Sequence, residues 1–107
     1  GPNYEKEHVD RASEMLKQER LPHRLMIDCS HGNSRKDHLK QMDVADDVAR
    51  QLSTGEAPIF GVMIEANLVE GRQDAKPDVP LVYGQSVTDA CVNVSQLEKM
   101  LRRLDSR

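Results

Sequence analysis

The sequence has little of what extracellular, membrane and nucleic-acid-binding proteins depend on. Its 107 residues include two cysteines, no tryptophan, one phenylalanine and two tyrosines. Two cysteines are too few for a disulfide scaffold, so both thiols are expected to be reduced. No apolar stretch approaches the roughly 20 residues that cross a bilayer, and no apolar signal core follows the first residues. A cytoplasmic protein without a membrane partner is the expectation.

The sequence also lacks an excess of charge of either sign. The net charge is -3, and acidic and basic residues are interspersed without a basic stripe. This pattern, together with the shortage of aromatic residues, argues against nucleic acid as a partner. The length allows one modest core, and its side chains will be largely aliphatic. The sequence therefore predicts that residues 1–107 form a single segment.

The spacing of apolar residues predicts three helices and two strands. Helices are expected over residues 5–18, 35–53 and about 97–104, and strands over residues 25–28 and 59–64. The second strand has no polar interruption, which is typical of a strand covered on both faces. Since one helix separates the two strands, they are expected to lie side by side in parallel with a right-handed crossover. The fold class is α/β.

Residues with helix-capping and turn-forming preferences mark where these elements begin and end. Ser34 is the expected N-cap of the second helix, and Gly55 its C-terminal stop. The pair Ser95 and Glu98 has the spacing of a capping box for the last helix. Glycine and prolines scattered between Asn67 and Gly84 predict a long loop, and loops of this length inside a compact domain are usually functional.

Three side chains with metal-binding chemistry follow the predicted strands and loop. They are His31, Glu65 and Asp89. An imidazole and two carboxylates suit a divalent first-row ion such as Mn²⁺, Fe²⁺, Co²⁺ or Zn²⁺, without choosing among them. Each residue also has a simpler interpretation. His31 could be a hydrogen-bonded loop histidine, Glu65 could pair with a lysine, and Asp89 could cap a helix.

Several blocks of the sequence resemble the class I 3-deoxy-D-arabino-heptulosonate 7-phosphate (DAHP) synthases. The blocks occur in the family's order and cover nearly the whole chain, which is far more specific than one short motif. They are Pro2-Asn3-Tyr4, Asp28-Cys29-Ser30-His31-Gly32-Asn33-Ser34, Lys40-Gln41-Met42-Asp43-Val44, the run from Gly61 to Gly71, and the run from Tyr83 to Cys91.

The resemblance implies a fold and an activity. Family members are (β/α)₈ barrels that condense phosphoenolpyruvate with erythrose 4-phosphate, the first step of the shikimate pathway. This chain matches the C-terminal portion of that TIM barrel, about two βα units, from the helix after strand six to the final helix. A complete barrel takes about 250 residues, so the barrel is incomplete in this chain. The isolated chain is expected to be inactive.

The resemblance also implies a ligand set. The family holds its divalent metal with a cysteine, a histidine, a glutamate and an aspartate, and the last three match His31, Glu65 and Asp89. His31 is also the expected catalytic contact to the forming alkoxide. The family's cysteine and its phosphate-binding segments have no match here, and neither Cys29 nor Cys91 takes the place of that cysteine. The inhibitory amino acid cannot be inferred from this segment.

Two other interpretations remain open at this stage. The first is a non-catalytic assembly fragment, because two strands leave open edges that favour oligomers of identical chains. The second is the related 3-deoxy-octulosonate 8-phosphate synthase, which shares the barrel and the use of phosphoenolpyruvate. The block from Asn67 to Gly71 and the block from Ser86 to Cys91 fit the heptulosonate enzyme better.

Overall fold

The computed structural model describes residues 1–105, which form three α-helices, four short strands and one 3₁₀ helix. In chain order these are α1 (Lys6–Gln18), β1 (Leu25–Asp28), the 3₁₀ helix (His31–Ser34), α2 (Lys40–Leu52), β2 (Ile59–Met63), β3 (Val69–Arg72), β4 (Gln85–Ser86) and α3 (Val94–Asp105). The α/β class and all five elements predicted from apolar spacing are confirmed.

Strands β1 and β2 form a parallel pair with α2 as the connection between them. The register aligns Ile27 with Val62 and Asp28 with Met63, so both strands end at the same edge. The backbone N–H of Cys29 donates to the carbonyl oxygen of Met63 at 2.8 Å and extends the pairing by one residue. The predicted parallel arrangement is therefore confirmed, and it brings the segments after both strands together.

An aliphatic core lies between this sheet and the helices. Val9 of α1, Ile27 of β1, Val44 and Val48 of α2 and Met100 of α3 are buried together. Helix α3 packs against α2, and Arg103 forms an ion pair with Asp46 across the two helices at 3.0 Å. The scarcity of aromatic residues thus leaves a core of valine, isoleucine and methionine side chains, as the composition predicts.

The predicted start of the second helix at Arg35 is wrong. Arg35 and Lys36 have φ angles of 52° and 62°, which belong to the left-handed region and cannot be part of an α-helix. Ser34 ends the 3₁₀ helix, and its hydroxyl donates to the His31 carbonyl oxygen at 3.1 Å instead of capping α2. The segment from 31 to 39 is therefore a compact connection that places His31 at the end of the sheet.

The region predicted as a loop from Asn67 to Gly84 contains more structure than expected. Strand β3 lies within it and pairs in parallel with β4, which follows it. Gly84 has a φ of 81°, and a Cβ atom there would lie 2.8 Å from the Cβ of Leu68. Glycine is required at this position because it tolerates both the left-handed backbone and the close approach of Leu68.

Helix α3 begins with a different capping pair from the predicted one. The side-chain oxygen of Asn93 accepts the N–H of Gln96, and the side-chain oxygen of Gln96 accepts the N–H of Asn93, each at 2.8 Å. This reciprocal pattern is a capping box formed by an asparagine and a glutamine. Ser95 and Glu98 lie inside the helix, where Glu98 pairs with Arg102.

Two features of the surface bear on the sequence predictions. Among residues 1–105, no helix combines the length and the apolar character that a membrane span requires.

Strand β2 is not covered on both faces, since Ile59 is buried but Phe60 is 61% exposed. The prediction of a fully covered strand is therefore wrong for the face that carries Phe60.

Candidate metal centre

Three separate segments bring His31, Glu65 and Asp89 to one place. His31 opens the 3₁₀ helix after β1, Glu65 follows β2, and Asp89 follows β4. One ligand-type atom from each side chain lies within 4.8 Å of the others. Because the carboxyl ends of parallel strands share one edge of the sheet, residues that follow β1 and β2 are neighbours in space. The sequence prediction selected the three residues that the fold brings together.

The imidazole of His31 is the centre of this cluster. Its Nε2 atom lies 2.9 Å from a carboxylate oxygen of Glu65 and 3.3 Å from a carboxylate oxygen of Asp89. The Glu65 side chain is 23% exposed and the other two slightly more than 40%, so the cluster is partly accessible to solvent. The simpler interpretations fail for both acids, because Glu65 pairs with a histidine and Asp89 does not begin a helix.

The ring of His31 is held on its other side by Asp28, which is not among the site residues predicted from the sequence. The Nδ1 atom of His31 lies 2.8 Å from Oδ2 of Asp28. This hydrogen bond, and then the negative charges of Asp28 and Glu65, raise the pKa of His31 above its ordinary value. An acid three residues before a histidine is the signal in the sequence that could have identified Asp28.

The backbone of Glu65 is held by Gln41, a second residue that was not predicted from the sequence. Gln41 of α2 is fully buried, and its side-chain oxygen accepts the N–H of Glu65 at 3.1 Å. The side-chain nitrogen of Gln41 donates to the carbonyl oxygen of Glu65 at 3.2 Å. A polar residue in the middle of an apolar helix face was the available signal, because buried polar groups require partners.

The position of Asp89 depends on the segment around the second strand pair. The guanidinium Nε of Arg72 donates to the carbonyl oxygen of Thr88 at 2.7 Å, immediately before Asp89. After it, Cys91 and Gly71 exchange two backbone hydrogen bonds of 2.8 and 3.1 Å. Asp89 is therefore fixed from both sides through its neighbours, even though its side chain is partly exposed.

The cysteines do not join the cluster. Cys29 is fully buried in the core, and burial raises the pKa of its thiol to about 12. Burial also raises the pKa of Cys91, whose Sγ donates to the Asp89 carbonyl oxygen at 3.5 Å. Metal ligation requires a thiolate, which these surroundings disfavour. Neither thiol is therefore a candidate metal ligand in this arrangement.

The three side chains fit a divalent first-row ion. They offer one imidazole nitrogen and carboxylate oxygens from two acids within 4.8 Å of one another, and all three residues are only partly buried. Imidazole and carboxylate together suit zinc, manganese, iron and cobalt, and three protein ligands leave room for another group. The arrangement can bind such an ion and present it to a small molecule.

Comparisons with known proteins identify relatives of this chain. The model of the DAHP synthetase I family matches residues 1–102. A tyrosine-inhibited phospho-2-dehydro-3-deoxyheptonate aldolase of Schizosaccharomyces pombe is 51% identical over 105 residues, which cover 94% of this chain and 28% of the relative. The Phe-sensitive aldolase of Escherichia coli K12 is 48% identical over 103 residues, covering 96% of this chain and 29% of the relative.

A solved structure agrees at the level of the backbone. The phospho-2-dehydro-3-deoxyheptonate aldolase of Francisella tularensis SCHU S4 matches with a TM-score of 0.92 and 51% identity, covering 99% of this chain and 30% of the solved one. The chain thus spans less than a third of the length of these relatives. Since the family model matches nearly all of it, the chain belongs to the DAHP synthetase I family.

Proposed function

We propose that this chain is the C-terminal segment of a DAHP synthase, which condenses phosphoenolpyruvate with erythrose 4-phosphate to give DAHP and phosphate. The relatives named above carry the aldolase name of this activity and match the chain over less than a third of their length. In this proposal residues 1–107 are one segment of a cytoplasmic (β/α)₈ barrel. The parallel unit β1–α2–β2 supports it, because such units build these barrels.

The single observation that carries the proposal is the meeting of His31, Glu65 and Asp89. Their positions after strands are where active sites of α/β barrels are built. They would hold a divalent ion. The ligand set suits Mn²⁺, Fe²⁺, Co²⁺ and Zn²⁺ alike and does not distinguish among them. When bound, such an ion supplies Lewis acidity toward the aldehyde oxygen of erythrose 4-phosphate.

The side chains of the cluster have separate roles in this proposal. Glu65 and Asp89 are the two anionic ligands, and both face Nε2 of His31. His31 is the neutral ligand, and it is the catalytic residue in that capacity, because its ligating nitrogen would lie beside the alkoxide formed when C3 of phosphoenolpyruvate attacks the aldehyde. Binding of the two phosphorylated substrates requires basic clamps, and the family's phosphate-binding segments have no match in this sequence.

The exposed apolar residues support the view that this segment packs against further barrel strands. Met26 of β1 is 56% exposed and Phe60 of β2 is 61% exposed, although both lie in the sheet. The radius of gyration is 16.0 Å, whereas a compact chain of this length has about 13 Å. These exposed strands equally favour a second function, a non-catalytic fragment that assembles with identical chains.

A chimera tests the proposed activity. The matched C-terminal part of the Escherichia coli Phe-sensitive relative is replaced by this chain, and phosphate release from phosphoenolpyruvate is measured with and without erythrose 4-phosphate and Mn²⁺. We expect activity that depends on the aldehyde and the metal. The variants His31→Gln, Glu65→Gln and Asp89→Asn should each lose at least about 100-fold in rate. Asp10→Asn, which changes an exposed acid of α1, is the matched control.

The isolated chain provides the complementary measurement. We expect no phosphate release from it, because clamps for the substrate phosphates are missing. A folded chimera without activity would contradict the synthase proposal. Activity of the isolated chain would contradict the proposal that it works only as part of a barrel, and a concentration-dependent dimer in light scattering would support the assembly function.

A further inference from the structure

The carboxylate of Asp28 has a hydrogen-bond partner on each of its two oxygens. Asp28 is the last residue of β1, and its Oδ1 atom accepts the backbone N–H of Ser30 at 2.8 Å. Its Oδ2 atom lies 2.8 Å from Nδ1 of His31. The side-chain amide of Asn33 donates to the carbonyl oxygen of Asp28 at 2.8 Å, which fixes the backbone as well. Both oxygens of the acid are therefore engaged.

The backbone of His31 has a left-handed conformation, which the surrounding hydrogen bonds stabilise. Its φ of 46° lies in the left-handed region, which is uncommon for residues other than glycine, although histidine adopts it more often than most. Such conformations persist only where several surrounding contacts hold the backbone in place. The ring is held by Asp28, and the carbonyl oxygen of His31 accepts the N–H of Lys36 at 3.0 Å and the hydroxyl of Ser34.

These contacts determine which ring nitrogen faces the cluster. With Nδ1 directed at Asp28, the opposite nitrogen Nε2 points toward Glu65 and Asp89. A histidine that binds a metal through one nitrogen usually donates the proton of the other nitrogen to a carboxylate or carbonyl oxygen, and this fixes its tautomer and orientation. Asp28 occupies the place of that acceptor.

We propose that Asp28 is a positioning residue, which holds a proton on Nδ1 of His31 and so presents Nε2 to the metal as a free electron pair. The proposal rests on the proposed function, since it assigns Asp28 a role at the same site. Asp28 does not touch the reacting atoms in this arrangement. Its effect reaches the metal through the tautomer and orientation of His31.

The chemistry of the amide makes Asp28→Asn the decisive variant. Asparagine has one side-chain oxygen, whereas Ser30 N–H and His31 Nδ1–H together require two acceptors. If the oxygen continues to accept from Ser30, the amide nitrogen donates to Nδ1 of His31. The proton then moves to Nε2, where it faces Glu65 and Asp89 and blocks the electron pair that the metal needs. Size and shape barely change.

The experiment combines metal affinity with a direct observation of the ring. The affinity for Zn²⁺ is measured by calorimetry, and the protonated nitrogen of His31 is identified by NMR of chain labelled with ¹⁵N-histidine, with and without Zn²⁺. We expect the wild-type ring to carry its proton on Nδ1 in the zinc-loaded chain and also, when the ring is neutral, in the metal-free chain. In Asp28→Asn we expect zinc affinity to fall about 10- to 100-fold and the metal-free ring to carry its proton on Nε2 at alkaline pH.

Two further variants separate positioning from folding. Asp10→Asn makes the same chemical change on the exposed face of α1 and should leave affinity and tautomer unchanged. Asp28→Ala removes the acceptor without adding a donor, so its metal-free ring is not forced to carry its proton on Nε2. A purely structural role predicts that alanine is the more harmful change, whereas the tautomer mechanism predicts that asparagine weakens zinc binding at least as much. Amide NMR spectra check that each variant is folded.

The outcomes distinguish this proposal from the function on which it rests. If neither the wild-type chain nor the chimera described above binds Zn²⁺, the metal centre is overturned, and the metal-free spectra still decide whether Asp28 controls the ring. An unchanged tautomer in a folded Asp28→Asn chain overturns the positioning role whether or not zinc binds. Wild-type zinc affinity in that variant overturns it as well.

Discussion

The side-chain amide of Gln41 forms hydrogen bonds with both backbone polar groups of Glu65. Its oxygen accepts the N–H of Glu65 at 3.1 Å, and its nitrogen donates to the carbonyl oxygen at 3.2 Å. Gln41 thus acts as an additional strand partner at the point where β2 has ended. Gln41 of α2 thereby fixes the backbone of Glu65, a candidate metal ligand that follows β2.

Replacing Gln41 by leucine should destabilise the chain by about 1–3 kcal/mol, the cost of leaving a polar group without a partner. The N–H of Glu65 is the group that loses its acceptor, because the carbonyl oxygen still accepts the N–H of Val92 at 3.0 Å. Urea unfolding measures the change. Gln18→Leu, on the exposed end of α1, is the control and should stay within about 0.5 kcal/mol of wild type. Equal effects of the two substitutions would show that the Gln41 hydrogen bonds contribute nothing measurable.

Apolar spacing was sufficient to predict the three α-helices and the first pair of parallel strands. Helix α1 and strand β1 occupy nearly the predicted residues, since the alternation of apolar and polar residues reflects which face is buried. The same reasoning could not find strand β3, in which Val69 and Gly71 are only partly buried and the hydrogen bonds are formed with a distant segment. Pairing between remote segments leaves little trace in local sequence.

The site was predictable in its ligands but not in its support. His31, Glu65 and Asp89 follow apolar runs or a recognisable block, so both chemistry and resemblance pointed to them. Asp28 and Gln41 act through geometry that only the fold creates, namely a left-handed backbone at His31 and the approach of α2 to the end of β2. Residues that position a ligand are therefore harder to predict than the ligand itself.

The cap of α3 should depend on Asn93 rather than on Ser95. Asn93→Ala removes the oxygen that accepts the N–H of Gln96, and such a loss costs about 1 kcal/mol. Ser95→Ala lies within the first turn on an exposed position and should change the free energy of unfolding by less than about 0.5 kcal/mol. Thermal or urea unfolding of the two variants compares them directly. A larger loss for Ser95→Ala would restore the capping box predicted from the sequence.

Gly84→Ala should disrupt the β3–β4 pair. The new methyl group would meet Leu68 at 2.8 Å, and the backbone φ of 81° strains any residue with a Cβ. The carbonyl oxygen of Gly84 accepts the N–H of Val69 at 3.0 Å, so the exchange of the Val69 amide reports the damage. We expect faster exchange at Val69 and an overall cost of about 1–3 kcal/mol.

The control for this change is Gly61→Ala in β2. A Cβ there would lie 3.5 Å from the terminal methyl group of Met26, an ordinary contact with a flexible side chain. Alanine is also the better residue in a strand interior, so stability should stay equal or rise slightly. Unchanged amide exchange at Val69 in Gly84→Ala would mean that the strand pair tolerates the strain.

Metal binding should strengthen as the pH rises. The hydrogen bond to Asp28, followed by the charges of Asp28 and Glu65, raises the pKa of His31, so the proton competes with a metal over a wider range than for an ordinary histidine. Below that pKa, binding releases one proton from the ring, and Zn²⁺ affinity should increase about tenfold per pH unit. Above it the dependence should level off. Calorimetry at about pH 6, 7 and 8, in buffers with different ionisation enthalpies, measures both the affinity and the protons released.

The same shift has the opposite consequence for the stability of the metal-free chain. Because the folded pKa of His31 lies above the unfolded value of 6.5, its contribution to stability is fully present below that pH and declines as the pH rises through the folded pKa. Without zinc the chain should lose this stability at alkaline pH, and saturating Zn²⁺ should restore it by binding the folded state. His31→Gln should remove both effects, whereas His8→Gln, on α1, should leave both intact. Zinc binding without proton release below the His31 pKa would contradict ligation through this ring.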